Sequence, residues 1–168
     1  MVMVQIDPRY EPWLKQGVFN AHLLLECGAT YKVSLRALRF YFVRVALVRG
    51  SGKFVPTAFA LGITPGSLRI IAKPVVLRPG EIALTSSAKI NAERWATHLA
   101  TEDATLKYRE ALFIWSRSLL LAAIDRAKGN RMEASRKLKV HRNVLWRVPS
   151  SPEQTKQIGT GRQAKPAA

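Results

Sequence analysis

Residues Gly129 to Arg147 read Gly-Asn-Arg-Met-Glu-Ala-Ser-Arg-Lys-Leu-Lys-Val-His-Arg-Asn-Val-Leu-Trp-Arg, and the run predicts two short helices joined by a tight turn. Gly129 suits the left-handed end of a preceding helix, and Asn130 suits the cap of the next one. A helix over 131–138 places the small residues Ala134 and Ser135 where another helix must come close. Lys139, Val140 and His141 make the turn, with Val140 directed inward. A second helix over 142–148 faces Leu145 and Val148 into the core. His141, Arg142, Asn143, Trp146 and Arg147 then point outward, on an element presented by its N-terminal turn. A short helix carrying exposed donors in that way suits the major groove of DNA.

This stretch resembles the helix-turn-helix of the Fis family, the type also found at the C-terminus of NtrC-class activators. Gly129, Asn130, Ala134, Ser135, Leu138, Val140 and Leu145 fit the family pattern in register. Lys139 departs from it, because the family usually has Gly at that point of the turn. A side chain there must accept positive φ or a changed turn, at a cost of roughly 1 kcal/mol. Pro149 also stops the recognition helix early.

Gly52 to Leu68 reads Gly-Lys-Phe-Val-Pro-Thr-Ala-Phe-Ala-Leu-Gly-Ile-Thr-Pro-Gly-Ser-Leu and fits the same pattern without a gap. Its small pair is Thr57-Ala58, and its turn is Leu61-Gly62-Ile63. A shift of 77 residues superimposes Gly52 on Gly129, Leu61 on Leu138, Ile63 on Val140 and Leu68 on Leu145. Upstream, Tyr31 falls on Tyr108, Leu35 on Leu112, Phe42 on Leu119, Ala46 on Ala123 and Arg49 on Arg126. The competing explanation is that apolar residues at helical spacing match any helix; the ungapped turn residues weigh against it.

A chain of 168 residues fits one ordinary domain or two very small ones and buries a real core. The formal charge of +16 implies an anionic partner or surface. One cysteine, Cys27, excludes an internal disulfide, and its setting in an apolar run suggests packing in a reducing cytoplasm. The first residues lack a basic stretch followed by an apolar core, so no signal peptide is expected. Arg39, Arg44 and Arg117 interrupt the apolar stretches before about 18 clean residues accumulate, so no membrane span is expected.

In chain order, residues 1–10 are an apolar lead-in read as one extended strand. A helix follows from Glu11 to about Glu26 and ends at Gly28. Thr30 caps a longer helix from Tyr31 to Arg49, with Leu35, Leu38, Phe42, Val45 and Leu47 as its inward stripe. Phe40 to Val43 also allow a strand. After the first helix-turn-helix, with Thr64 as cap and Pro65 in the first turn, Val75 to Leu84 suggest a small hairpin around Pro79-Gly80. That hairpin would be a connector, or the wing of a winged helix. Ser86 or Ser87 caps a helix to about Ala100 carrying Ile90, Trp95 and Leu99. Thr101-Glu102-Asp103 then caps a long helix from Ala104 to Lys128, whose broad apolar face predicts more than one neighbour.

The expected fold class is therefore mainly α: two tandem Fis-like helix-turn-helix units in a pseudo-twofold helical bundle, with a small β-hairpin in the connector. Residues 1–74 form the first unit, 75–86 the connector, 87–149 the second unit and 150–168 a disordered basic tail. The resemblance implies long helices paired into a core with two recognition helices presented together. The pairing would be an intramolecular pseudo-dimer or a homodimer.

From Arg126 to Arg147 there are eight Lys or Arg and one acid, and from Arg44 to Lys73 five and none. Such concentration is what phosphate neutralisation requires. The candidate DNA-binding residues are Lys53, Thr64, Pro65, Gly66, Arg69, Ile70 and Lys73 in the first unit. In the second they are Asn130, Arg131, Lys137, Lys139, His141, Arg142, Asn143, Trp146 and Arg147. Arg pairs with guanine and Asn with adenine, so the second unit is the better reader of bases. The first unit is expected to meet phosphates and thymine methyl groups. Trp146 either stacks on DNA or, as the favoured reading, shields the core of a clipped helix.

No phosphate-binding Gly-rich loop ending in Lys-Ser/Thr occurs, so ATP-driven remodelling is not expected. His22, His98 and His141 are scattered, and no Cys/His spacing suggests metal. No cofactor, metal, small-molecule ligand or membrane partner is expected, and binding rather than turnover is the expected activity. Double-stranded DNA is the expected partner, in the cytoplasm at the nucleoid. The protein would then be a transcriptional regulator or a DNA-bending architectural factor. The alternative is a basic RNA- or ribosome-associated structural protein.

Overall fold

The two longest helices each start at an extended residue, which frees the backbone of their first turn to be capped. Thr30 accepts the Val33 N–H at 3.4 Å with its hydroxyl and opens α2 (Tyr31–Arg49), as a capping threonine should. The computed structural model describes residues 8–101 and 106–148, and among them the chain is mainly helical and contains no strand. A 3-10 turn, Pro8–Tyr10, leads into α1 (Glu11–Leu25); α3 (Phe54–Leu61) and α4 (Pro65–Ile71) follow α2. After the connector come α5 (Ser86–Thr101), α6 (Tyr108–Arg126), α7 (Arg131–Leu138) and α8 (Arg142–Trp146).

Several expectations change at this level. The strand read over residues 1–10 is a 3-10 turn at 8–10, and residues 1–7 lie outside those described. Phe40 to Val43 are helical. Helix α5 is capped by Thr85, whose hydroxyl accepts the Ala88 N–H at 3.2 Å, not by Ser86 or Ser87. Thr101 ends α5, its hydroxyl donating to the Thr97 carbonyl at 2.8 Å. Helix α6 begins at Tyr108, after the Glu110 carboxylate turns back to accept the Lys107 N–H at 2.8 Å; Glu102, Asp103 and Ala104 of the expected start lie outside the described residues. Helix α8 ends at Trp146, although Val148 is still buried as expected. The tail, 150–168, lies outside the described residues.

The expected hairpin is absent. Pro79 and Gly80 do turn the chain, with the Glu81 N–H reaching the Arg78 carbonyl at 3.1 Å, but no ladder forms on either side. Arg36 of α2 takes over the connector instead. Its guanidinium donates to the Val76 carbonyl at 3.0 Å and pairs with the Glu81 carboxylate, which also accepts the Arg78 N–H at 2.8 Å. The bond from Arg36 and that backbone N–H hold the Glu81 carboxyl below its ordinary range. Because the folded-state value is depressed, this stabilisation is complete above the unfolded value and is lost as pH falls through the folded one. Amide exchange over residues 75–84 is therefore expected to quicken in that acid window, and in Glu81→Gln at neutral pH. Equal exchange in the variant would show that the pairing does not hold the connector.

Helix α1 packs along α6, and α2 along α5; α1 also meets α5, and α2 meets α6. Helices α3 and α4 pack at the end of α2, and α7 with α8 at the end of α6. All share one core, which runs from Leu24 and Leu38 through Trp115 to Leu68 and Leu145. Phe42 and Trp115 stand edge to face at its centre, with ring centroids 5.2 Å apart. The inward face of α2 is Val33, Ala37, Leu38, Phe42 and Val43, whereas Leu35, Val45 and Leu47 are only half-buried. Ile90 is exposed, because small Ala88 and Ala92 let α5 lie close to its neighbours with Trp95 and Leu99.

Helices α1 and α6 come close at Gly17. A Cβ there would lie 2.2 Å from the Ser118 hydroxyl oxygen and 3.0 Å from the Trp95 ring. Gly17→Ala is expected to cost about 1–3 kcal/mol by overpacking. Ser118→Ala removes a buried hydroxyl without a partner among the described residues and should restore part of that loss in the double variant, since the Ser118 Cβ at 3.1 Å and the Trp95 ring at 3.0 Å remain. Denaturant unfolding of the four proteins gives the coupling, and simple additivity would contradict the contact.

Candidate nucleic-acid interface

The two helix pairs repeat in backbone detail. Helices α2 and α6 start at Tyr31 and Tyr108 and end at Arg49 and Arg126, while α3 and α7 run Phe54–Leu61 and Arg131–Leu138, all at one spacing of 77 residues. The loops between them carry the same bonds. Gly52 N–H reaches the Leu47 carbonyl at 2.8 Å and Gly129 N–H the Ile124 carbonyl at 2.9 Å. Ser51 and Lys128 are both left-handed, at φ 52° and 50°. At the next turn, Ile63 N–H bonds the Ala58 carbonyl at 3.0 Å and Val140 N–H the Ser135 carbonyl at 3.1 Å. A left-handed residue followed by this longer bond is how a helix ends and changes direction. The chain turns through 96° between α3 and α4, within the range for helix-turn-helix pairs.

In the second pair the caps absorb several candidate side chains. Asn130 Oδ1 accepts the Glu133 N–H at 3.1 Å, so Asn130 caps α7. His141 Nδ1 accepts the Asn143 N–H at 3.3 Å and does the same for α8. Lys137 pairs with Glu133 at 2.7 Å, and that pairing holds the Glu133 carboxyl below its ordinary range. Arg131 turns under α8. Its guanidinium donates to the Leu145 carbonyl at 3.1 Å and stands 5.2 Å from the centre of the Trp146 ring. That link caps the carbonyl end of a five-residue helix, which has few bonds of its own. Trp146 is 55% exposed, so it covers Arg131 rather than the core.

Arg142, Asn143 and Arg147 remain exposed, and their side chains make no hydrogen bond or ion pair among the described residues. Leu145, fully buried between them in sequence, fixes the helix that carries them. Arg142 and Asn143 in the first turn of α8, with Arg147 just past its end, thus form a small set of exposed donors around Leu145.

Lys139 takes φ 53°, as its place in the turn demands, and its ammonium donates to the Gly80 carbonyl at 3.3 Å. The second turn is thereby tied to the connector. Lys139→Gly is expected to stabilise the protein by up to about 1 kcal/mol through relief of the left-handed strain. A lower melting temperature instead would mean that the bond to Gly80 outweighs the strain.

The first pair presents a different exterior. Thr64 caps α4, its hydroxyl accepting the Ser67 N–H at 3.1 Å, and Pro65 is half-buried. Lys53, Gly66, Arg69, Ile70 and Lys73 are exposed, and the Arg69 guanidinium lies 5.9 Å from the Phe54 ring centre. The sequence reading overlooked Val55 and Phe59, which stand out from α3 with Phe59 76% exposed. The signal was available: Phe54 to Leu61 contains no charged residue.

Away from these faces, His22 bonds Asp125 at 3.0 Å and His98 bonds Gln16 at 3.1 Å. No cluster of three or more metal-binding side chains occurs among the described residues. No single helix among them is long and apolar enough to cross a membrane. Comparison with protein-family models, curated proteins and solved structures finds no match to this chain.

Proposed function

We propose that the protein binds double-stranded DNA through two tandem Fis-like helix-turn-helix units, with α8 as the principal reading helix. The observation that carries this is that the bounds of α2 and α3 recur in α6 and α7, with the bonds of the two turns that follow them, at one fixed spacing. The exchange of partners, α1 with α6 and α5 with α2, is what a pseudo-twofold axis within one chain would produce. On this reading the bundle is an intramolecular counterpart of a dimer core.

Arg142 and Arg147 supply guanidinium forks for guanine and Asn143 an amide for adenine, while the exposed Arg136 meets phosphates, as do Lys137 and Lys139 on exchanging Glu133 and the Gly80 carbonyl for them. The first unit, with Thr64, Gly66, Arg69, Ile70 and Lys73, contributes backbone and methyl contacts. Binding without turnover, in transcriptional regulation or DNA bending at the nucleoid, follows from this reading.

Selection of bound sites from a random duplex pool, followed by competition with structured RNA at fixed salt, tests it. Enrichment of a motif that outcompetes the RNA is expected. Preference for RNA, or recovery of no motif, would transfer the protein to the class of basic RNA-associated structural proteins.

A further inference from the structure

The outside of α3 differs from that of α7, its counterpart in the second half. A groove of about 560 Å³ opens where α3 meets the end of α2, with Ala100 and Leu106 on its far side. Phe42, Ala46 and Leu61 form its apolar floor, Pro56 and Ala60 line it from α3, and Lys53 stands at its rim with Arg49, whose guanidinium donates to the Ala100 carbonyl across the groove. Val55 and Phe59, one helical turn apart, extend the apolar surface outward.

The matching surface of the second half is built otherwise. Pro56 and Ala60 correspond to Glu133 and Lys137, which bridge each other at 2.7 Å. Gly50, in the groove wall, corresponds to Ala127. A Cβ at Gly50 would meet the Thr57 hydroxyl oxygen at 2.2 Å, whereas the residue matching Thr57 is Ala134, which leaves room. On the matching face of the second half an ion pair thus stands where the first half has the apolar groove wall of Pro56 and Ala60.

We infer that this groove docks an acidic amphipathic helix of a partner protein, seating its apolar stripe on the floor. Charge selects the occupant. Among the described residues that line the groove the charged ones are Arg49 and Lys53, and none is acidic, so the rim attracts carboxylates along the helix flanks. A second copy of this chain would bring +16 against +16. The inference is independent of whether α8 binds DNA.

The test uses the full chain and a fluorescent synthetic peptide of Leu, Ala and Glu, about four helical turns long, with leucine on one stripe. Its controls are a scrambled peptide and one with Lys for Glu. Binding at least about tenfold tighter than both controls is expected, with a loss of about tenfold in Ala60→Trp, which fills the groove, and in Lys53→Glu, which reverses the rim. Arg142→Ala with Asn143→Ala should leave peptide affinity unchanged while impairing DNA binding. Equal affinity for the three peptides overturns the proposal, as does indifference to both groove variants. Self-association, or binding to phosphatidylglycerol vesicles, that Ala60→Trp abolishes in place of peptide binding overturns it as well.

Discussion

Trp115→Ala is expected to lower the stability of the fold by about 3–5 kcal/mol. The ring is fully buried on α6 and edge-on to Phe42 of α2 at 5.2 Å. Its position matches Leu38 in the first half, which is also fully buried. A large and a medium side chain thus fill matched positions, and the smaller one cannot expand into the space that alanine would leave. Domains of this size are stable by only about 5–15 kcal/mol, so this one truncation removes a large share of the total. Since the core extends without a break to Leu68 and Leu145, both helix pairs lose their support with it. Trp115→Phe should be much milder, because the indole N–H is buried without an acceptor among the described residues and phenylalanine has none to satisfy. Urea unfolding distinguishes the two, and a loss under about 1 kcal/mol for the alanine variant would remove Trp115 from the centre of the core.

How far the sequence could be read depended on whether a signal was local. Gly62 and Gly129 announce left-handed helix ends, and Thr30, Thr64 and Asn130 announce caps, because each acts on backbone within a few residues of itself. Such residues place α2 and α7 at the bounds read for them. Where two local signals compete, one loses. Thr101 looks like a cap but ends α5, and Glu110 bonding back to Lys107 sets the start of α6. Pro79-Gly80 is a sound turn signal, yet a hairpin also needs two flanks that bond each other. Arg36, forty residues from Val76, claims that carbonyl instead. The same limit applies at the interface. That α8 would expose Arg142 and Asn143 follows from helical spacing around Leu145, but the capture of Arg131 by the α8 carbonyls depends on the angle between two helices. The groove beside α3 is likewise invisible locally, since Leu106 and Ala100 reach it from the other half.

Replacing Arg142, Asn143 and Arg147 together by alanine is expected to erase discrimination between a selected DNA site and random duplex. Each well-placed bond from an arginine or asparagine to a base edge is worth roughly 1–3 kcal/mol. The three losses should add to a first approximation, because each side chain would meet a different base. The fold should survive, since all three are exposed and Leu145, which anchors α8, is untouched. Arg131 should also keep its place, because it bonds backbone carbonyls of Leu145 and Trp146 that alanine leaves unchanged. Salt dependence then separates the two roles an arginine can take. If Arg142 and Arg147 read bases, affinity for the selected site falls to the level of random duplex, with the slope against salt nearly preserved. If they neutralise phosphates, affinity for both duplexes falls and the slope shallows by about one for each phosphate no longer paired. Circular dichroism establishes that the helices persist, and titrations of both duplexes at several salt concentrations supply the slopes. Unchanged discrimination in the folded triple variant would mean that α8 does not enter the groove, and the reading head would have to be sought on α4, where Arg69 is exposed and Lys73 stands just beyond its end.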